Sequence, residues 1–157
     1  MRLKSEKNWP RSPTPSLRSP IIRQAPTEGV KARLWLTLGA VNGFFAVALG
    51  AFAAHGLKGR LTEQMLGVFD KGVDYQGFHA VALLVTGLLL LQQPDSRALK
   101  WAGVLFLGGT LLFSGSLYLL ALSGVRAWGA VTPFGGTAFL MGWALLGIGA
   151  WRLERDE

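Results

Sequence analysis

Four apolar stretches set the polarity pattern of this chain: about Leu34 to Ala54, Tyr75 to Gln92, Trp101 to Leu122 and Val131 to Trp151. A helix of about 20 predominantly apolar residues crosses roughly 30 Å of hydrocarbon, so the pattern predicts four membrane spans. The second stretch is the weakest. Its continuous apolar part runs only from Phe78 to Leu91, and it spans only if Tyr75, Gln76 and Gln92 lie at the boundaries or face other helices. The expected fold is all-α, an integral membrane four-helix bundle.

Between the first two stretches the periodicity changes. Leu61, Met65, Val68, Phe69 and Val73 recur at helical spacing, while Glu63, Asp70, Lys71 and Asp74 take the other side. This predicts an amphipathic interfacial helix that starts at Thr62 or Gly59, with a route through Gly72 and Gly77 into the second span. Its opposite charges nearly cancel, so it is expected to pack over the helix ends rather than seek acidic lipid.

Composition agrees with the membrane class: 50% of residues are hydrophobic, 16% are charged, and 21 are glycine. Cysteine is absent, which removes disulfides, thiolate nucleophiles and cysteine metal sites. The net charge of +7 would suit nucleic acid, but its distribution points to topology. Eight of the 16 Lys and Arg residues precede the first stretch; Arg97 and Lys100 lie between stretches two and three, and Arg152 and Arg155 follow the fourth. The opposite side holds only Lys58, Arg60, Lys71 and Arg126. Positive charge gathers on the cytoplasmic side, so both termini are expected there. No folded basic surface with interleaved aromatic residues exists to read nucleic acid.

Residues 1–30 contain five prolines with serines and arginines and no apolar periodicity, which predicts a flexible tail ahead of a four-span domain over 31–157. The positive region is too long for a signal peptide. No structural role is visible before about Gly29, the pattern expected of an overcalled start.

Small residues line the spans. Gly39, Gly43, Ala46, Gly50 and Ala54 form a stripe on the first, including a GxxxG spacing, and Asn42 lies beside it. Such a stripe permits close helix approach and is expected to pack against another helix of the bundle or a partner.

The polar side chains within the spans form the candidate site: His55 ending span one, Tyr75, Gln76 and His79 opening span two, Ser114, Ser116 and Tyr118 in span three, and Thr132 before span four. An antiparallel first hairpin is expected to bring His55 and His79 to one depth. Tyr75, Gln76 and His79 are three and four residues apart and share a helix side. Each residue also has a structural explanation. Ser114 and Ser116 can bond a carbonyl of the preceding turn, Thr132 before Pro133 suits a helix cap, and Asn42 suits a link between two helices.

These residues fall in four strings: GAFAAHGLKGRL from Gly50 to Leu61, YQGFHAVALL from Tyr75 to Leu84, FSGSLYLLALSG from Phe113 to Gly124, and TPFGGTAFLMGW from Thr132 to Trp143. Together they resemble the YgdD/YwdK-like family, domain of unknown function 423, over almost everything after about Trp35. The resemblance implies a small multi-pass bacterial inner-membrane protein with about four helices and no established activity. It points to the motif positions His55, Gly56, Tyr75, Gln76, His79, Ser114, Gly115, Ser116, Tyr118, Thr132, Pro133, Gly135 and Gly136. Ala53 stands where the family usually has glycine, and the N-terminal tail is longer than usual.

Three functional classes remain open. The chain is foremost a structural or accessory membrane subunit, with a membrane-protein partner or a second copy as its contact. The alternative is a small-molecule, ion or proton site built from the His, Tyr and Gln cluster. A lower alternative is a redox protein whose two histidines ligate haem. No acidic residue lies within a predicted span and Ser114 has no evident base, so no catalytic residue, resident cofactor or metal site is assigned.

Overall fold

The computed structural model describes residues 26–153, and side chains over 32–152. Four long helices run antiparallel: α1 (Pro26–Phe52), α2 (Glu63–Gln92), α3 (Arg97–Ser123) and α4 (Thr132–Leu153). All four are long and apolar enough to cross a membrane. Helix α1 begins inside the stretch expected as a flexible tail, with proline at its first position, where the missing N–H is no loss. The rest of that tail, residues 1–25, lies outside the described residues.

Each junction has a local cause. Helix α1 ends in a π-helical turn, Ala53–Leu57, and Gly59 then takes a left-handed φ of 80°. The Thr62 hydroxyl accepts the Met65 N–H at 3.3 Å and caps α2. Ser96 caps α3 through Leu99 N–H at 3.4 Å, and Gly124 closes it in the left-handed conformation. A 3₁₀ turn, Arg126–Ala130, leads into α4.

The amphipathic segment is not a separate helix. It forms the first turns of α2, whose 30 residues extend about 45 Å at 1.5 Å per residue, beyond a hydrocarbon slab of about 30 Å. Thr62 supplies a start, and neither Gly72 nor Gly77 interrupts the backbone ladder.

Helix α2 packs against α1 and α3, and α3 packs against α4. Two apolar clusters hold these contacts. One, toward the α2–α3 loop, gathers Trp35, Leu83, Leu90, Leu99, Phe106 and Leu146. The other, at the opposite end, gathers Ala53, Leu57, Phe69 and Ala121. Gln76, His79, Ser114 and Ser116 are buried at the level between them.

Glycine makes the close packing possible. On α4, Gly135, Gly142 and Gly149 face Phe113, Phe106 and Leu99 on α3. Both rows step by seven residues in opposite directions, as antiparallel helices with a heptad-like repeat require. In lipid, van der Waals fit rather than a hydrophobic force joins helices, so large side chains seated over glycines stabilise the pair. The α1 stripe is used in the same way: a Cβ on Gly39 would meet Leu84 at 2.9 Å, one on Gly50 would meet Val73 at 3.3 Å, and one on Gly43 would lie 3.9 Å from Ala80. Its partner is therefore α2 of the same chain.

Candidate functional site

The predicted polar cluster divides into three connections between helices, with His55 apart from all of them. Tyr75 and Gln76 are neighbours in sequence, so their directions differ by about 100° around α2. Gln76 therefore points to α1 and α3, while Tyr75 and His79 turn toward α3 and α4.

Gln76 makes the first connection. Its amide nitrogen donates to the Asn42 main-chain carbonyl on α1 at 3.3 Å, and its amide oxygen accepts the Tyr118 hydroxyl of α3 at 2.8 Å. One side chain thus ties three helices. Asn42 contributes its backbone, because its own side chain donates to Leu38 O at 2.9 Å within α1. The helix link expected of Asn42 is thus made by its carbonyl.

His79 makes the second. Nδ1 lies 2.8 Å from the Tyr75 carbonyl, which can only accept, so Nδ1 carries the hydrogen. Nε2 then accepts Trp143 Nε1–H of α4 at 3.2 Å. The imidazole stacks on Phe139 with ring centroids 3.4 Å apart and planes 7° apart. Both ring nitrogens are engaged, and the partners fix one neutral tautomer.

Ser116 and Thr132 make the third, with hydroxyls 2.8 Å apart across α3 and α4. Ser116 also donates to Phe113 O at 2.9 Å, as expected of a serine in a span. Thr132 bonds across to α3 rather than closing the first turn of its own helix. Ser114 departs from expectation: its hydroxyl is buried and has no hydrogen-bond partner among the described residues.

The register corrects the expected level of the two histidines. Gly43 faces Ala80, Gly50 faces Val73, and Gly77 faces Ala46, so His79 lies opposite the neighbourhood of Phe44. His55 is then displaced along α1 by roughly 17 Å at 1.5 Å per residue. It is exposed, in the π-helical turn. The hairpin joint explains the error: α2 runs for four turns before reaching His79, whereas sequence hydropathy placed the membrane edge at Tyr75. Two histidines so separated do not clamp one haem within a chain.

A lateral groove accompanies the His79 connection. Helices α2 and α4 are held apart by α3, and the gap between them forms a cavity of about 510 Å³. Tyr75, Phe78 and Asp74 form one wall, Phe113 and Phe139 the base, and Leu140 and Trp143 the other wall, where Gly136 leaves space. Tyr75 stacks on Phe113 at 4.3 Å. Trp143 was missed as a site residue because tryptophan in such chains is read as an interfacial anchor. The available signal was its spacing of four from Phe139 and seven from Gly136, which puts all three on one side of α4. Among the described residues no group of three His, Cys, Asp or Glu side chains converges on a metal position.

The family's sequence profile, described as a protein of unknown function (DUF423), matches residues 49–136. That range includes every motif position of the three connections, while Asn42, Phe139 and Trp143 lie outside it. The chain belongs to the DUF423 family. It is 47% identical over 125 residues to the UPF0382 inner membrane protein YgdD of Escherichia coli K12, covering 79% of this chain and 94% of that relative. It is 45% identical over 116 residues to a UPF0382 membrane protein of Staphylococcus epidermidis, covering 74% of this chain and 93% of the relative. No solved structure matches. With four apolar helices and these relatives, this DUF423 member is a multi-pass membrane protein.

Proposed function

We propose that this DUF423 protein is a non-enzymatic structural or accessory subunit of the bacterial inner membrane, with both termini cytoplasmic. The observation that carries this reading is the engagement of Gln76 with α1 and α3 at once. The His79–Trp143 and Ser116–Thr132 bonds repeat the pattern at the other helix pairs. Polar groups so paired rigidify a bundle, and they leave few lone pairs to strip water from an ion or to relay protons. Acyl-transfer chemistry has no support either, because neither buried serine is hydrogen-bonded to a histidine. The exposed apolar sides of α1 and α4, including Phe44, Val47, Phe134 and Leu140, are available to lipid and to a membrane-protein partner.

The test is purification of the full chain from native membranes in mild detergent after chemical crosslinking. A partner recovered in fixed stoichiometry, and lost when Phe44 and Val47 or Phe134 and Leu140 are replaced by alanine, supports the subunit role. Ion or proton flux through vesicles containing the purified protein alone, abolished by Gln76→Leu at unchanged melting temperature, overturns it.

A further inference from the structure

We propose that the groove between α2 and α4 binds a lipophilic organic cation, with the charged centre near Asp74 and Tyr75 and an apolar body lying against the paired Phe78 and Trp143 rings. This goes beyond the subunit role and does not depend on it. The cavity of about 510 Å³ falls within the range of small-molecule sites. Its chemistry has a sign. Among the described residues Asp74 is the one charged side chain on its walls, and rings supply most of the remaining surface.

Aromatic rings present negative faces, and a cation over such a face is attracted more strongly where water is excluded. Phe78 is 61% exposed and Trp143 39% exposed, both on the groove. Their rings lie 5.5 Å apart at 34°. Tyr75, 39% exposed, adds a third ring next to Asp74. The Asp74 carboxylate is paired with Lys71 at only 3.7 Å, with both side chains largely exposed. Such a surface pair is weak and readily exchanged, so the carboxylate is available to a better-placed cation. An anion would meet the carboxylate and the ring faces unfavourably. A neutral acyl chain would fill the same volume with no dependence on Asp74. The groove runs from Asp74 to Trp143 with the charge at its outer end and the apolar walls inward, which matches an amphiphile entering from the membrane surface.

The full chain in phosphatidylcholine nanodiscs is titrated with tetraphenylphosphonium and, separately, with tetraphenylborate, an ion of the same shape and opposite charge. Empty nanodiscs give the background partition. The expected result is saturable binding of tetraphenylphosphonium at about one per chain and none of tetraphenylborate above background. Asp74→Asn and Phe78→Leu, both at exposed positions, should each weaken binding about fivefold or more at unchanged melting temperature. Similar binding of both ions, uptake of the cation no greater than in empty discs, or wild-type affinity in both variants overturns the proposal. The comparison of the two ions on the unaltered protein needs no variant to fold.

Discussion

At the scale of single residues, the buried polar groups divide into those that connect helices and one that does not. Replacing Gln76 by leucine removes both of its bonds and leaves the Tyr118 hydroxyl without its partner. Hydrogen bonds between membrane helices average about 0.6 kcal/mol and reach about 1.7, so Gln76→Leu should lose about 1–2 kcal/mol of unfolding free energy in detergent, measured by steric trapping or denaturant titration. Trp143→Phe keeps an aromatic ring but deletes the N–H donated to His79 together with part of the indole, so only a double-mutant cycle isolates the bond. In a double-mutant cycle with His79→Ala, its coupling should be about 0.5–1.5 kcal/mol; no coupling would show that stacking on Phe139 alone holds the imidazole. Ser114→Ala is the contrasting case. Among the described residues its hydroxyl has no hydrogen-bond partner, and an unpaired buried hydroxyl costs about 1–3 kcal/mol, so the variant should be at least as stable as wild type. The sequence made Tyr75, Gln76, His79, Ser116, Tyr118 and Thr132 visible as polar exceptions within apolar stretches. Partner choice was not visible, because the 100° step between Tyr75 and Gln76 sends adjacent residues to different helices. Asn42 shows the other limit: a main-chain carbonyl has no signature in sequence.

At the scale of helices, the heptad-like row of glycines explains why α3 and α4 lie so close. A methyl on Gly142 would sit 2.8 Å from the Phe106 ring, and one on Gly149 would strike the Leu99 side chain, whereas Gly147 has nothing within 4 Å. Overpacking a tight contact costs about 1–3 kcal/mol. Gly142→Ala and Gly149→Ala should therefore lower the melting temperature in detergent, while Gly147→Ala on the same helix should leave it unchanged or slightly raised. Equal behaviour at all three positions would mean that the interface relaxes freely. The four helices themselves were readable because hydropathy and helix length report directly on crossing a bilayer. Their contacts were readable in part: the α1 stripe identified the packing side, but a GxxxG spacing does not say whether α2 or another molecule occupies it. The joined amphipathic segment and second span were the harder feature, since a change of periodicity looks the same whether a helix bends or continues. That ambiguity also displaced His55 relative to His79.

At the scale of the whole molecule, the charge distribution and the helix connections give a single expected orientation. The first turn of α3, with Arg97 and Lys100, lies on the same side as Arg33 and Arg152, while Lys58 and Arg60 after the π-helical turn and Arg126 in the 3₁₀ turn lie on the other. The two sides differ in kind as well as number. Lys58, Arg60 and Lys71 on one side are matched by Glu63, Asp70 and Asp74, whereas the other side carries 12 Lys and Arg against six Asp and Glu, and the larger number of Lys and Arg is what is expected to hold a side in the cytoplasm. The chain has no cysteine, so single-cysteine variants report position without background. Lys58→Cys should react with a membrane-impermeant maleimide on intact cells, and Gln93→Cys should react only after permeabilisation. Labelling of both from outside would show that the α2 crossing fails, and the reverse pattern would invert the molecule while leaving its internal connections unchanged. Orientation also decides which solution the groove meets: with Asp74 at the outer end, a cation reaches it from the side opposite the cytoplasm. Swapping the charge bias, by Arg97→Glu and Lys100→Glu together with added lysines at Gln64 and Gly67, should therefore shift labelling toward the inverted pattern, whereas charge changes confined to Asp70 and Lys71 should not.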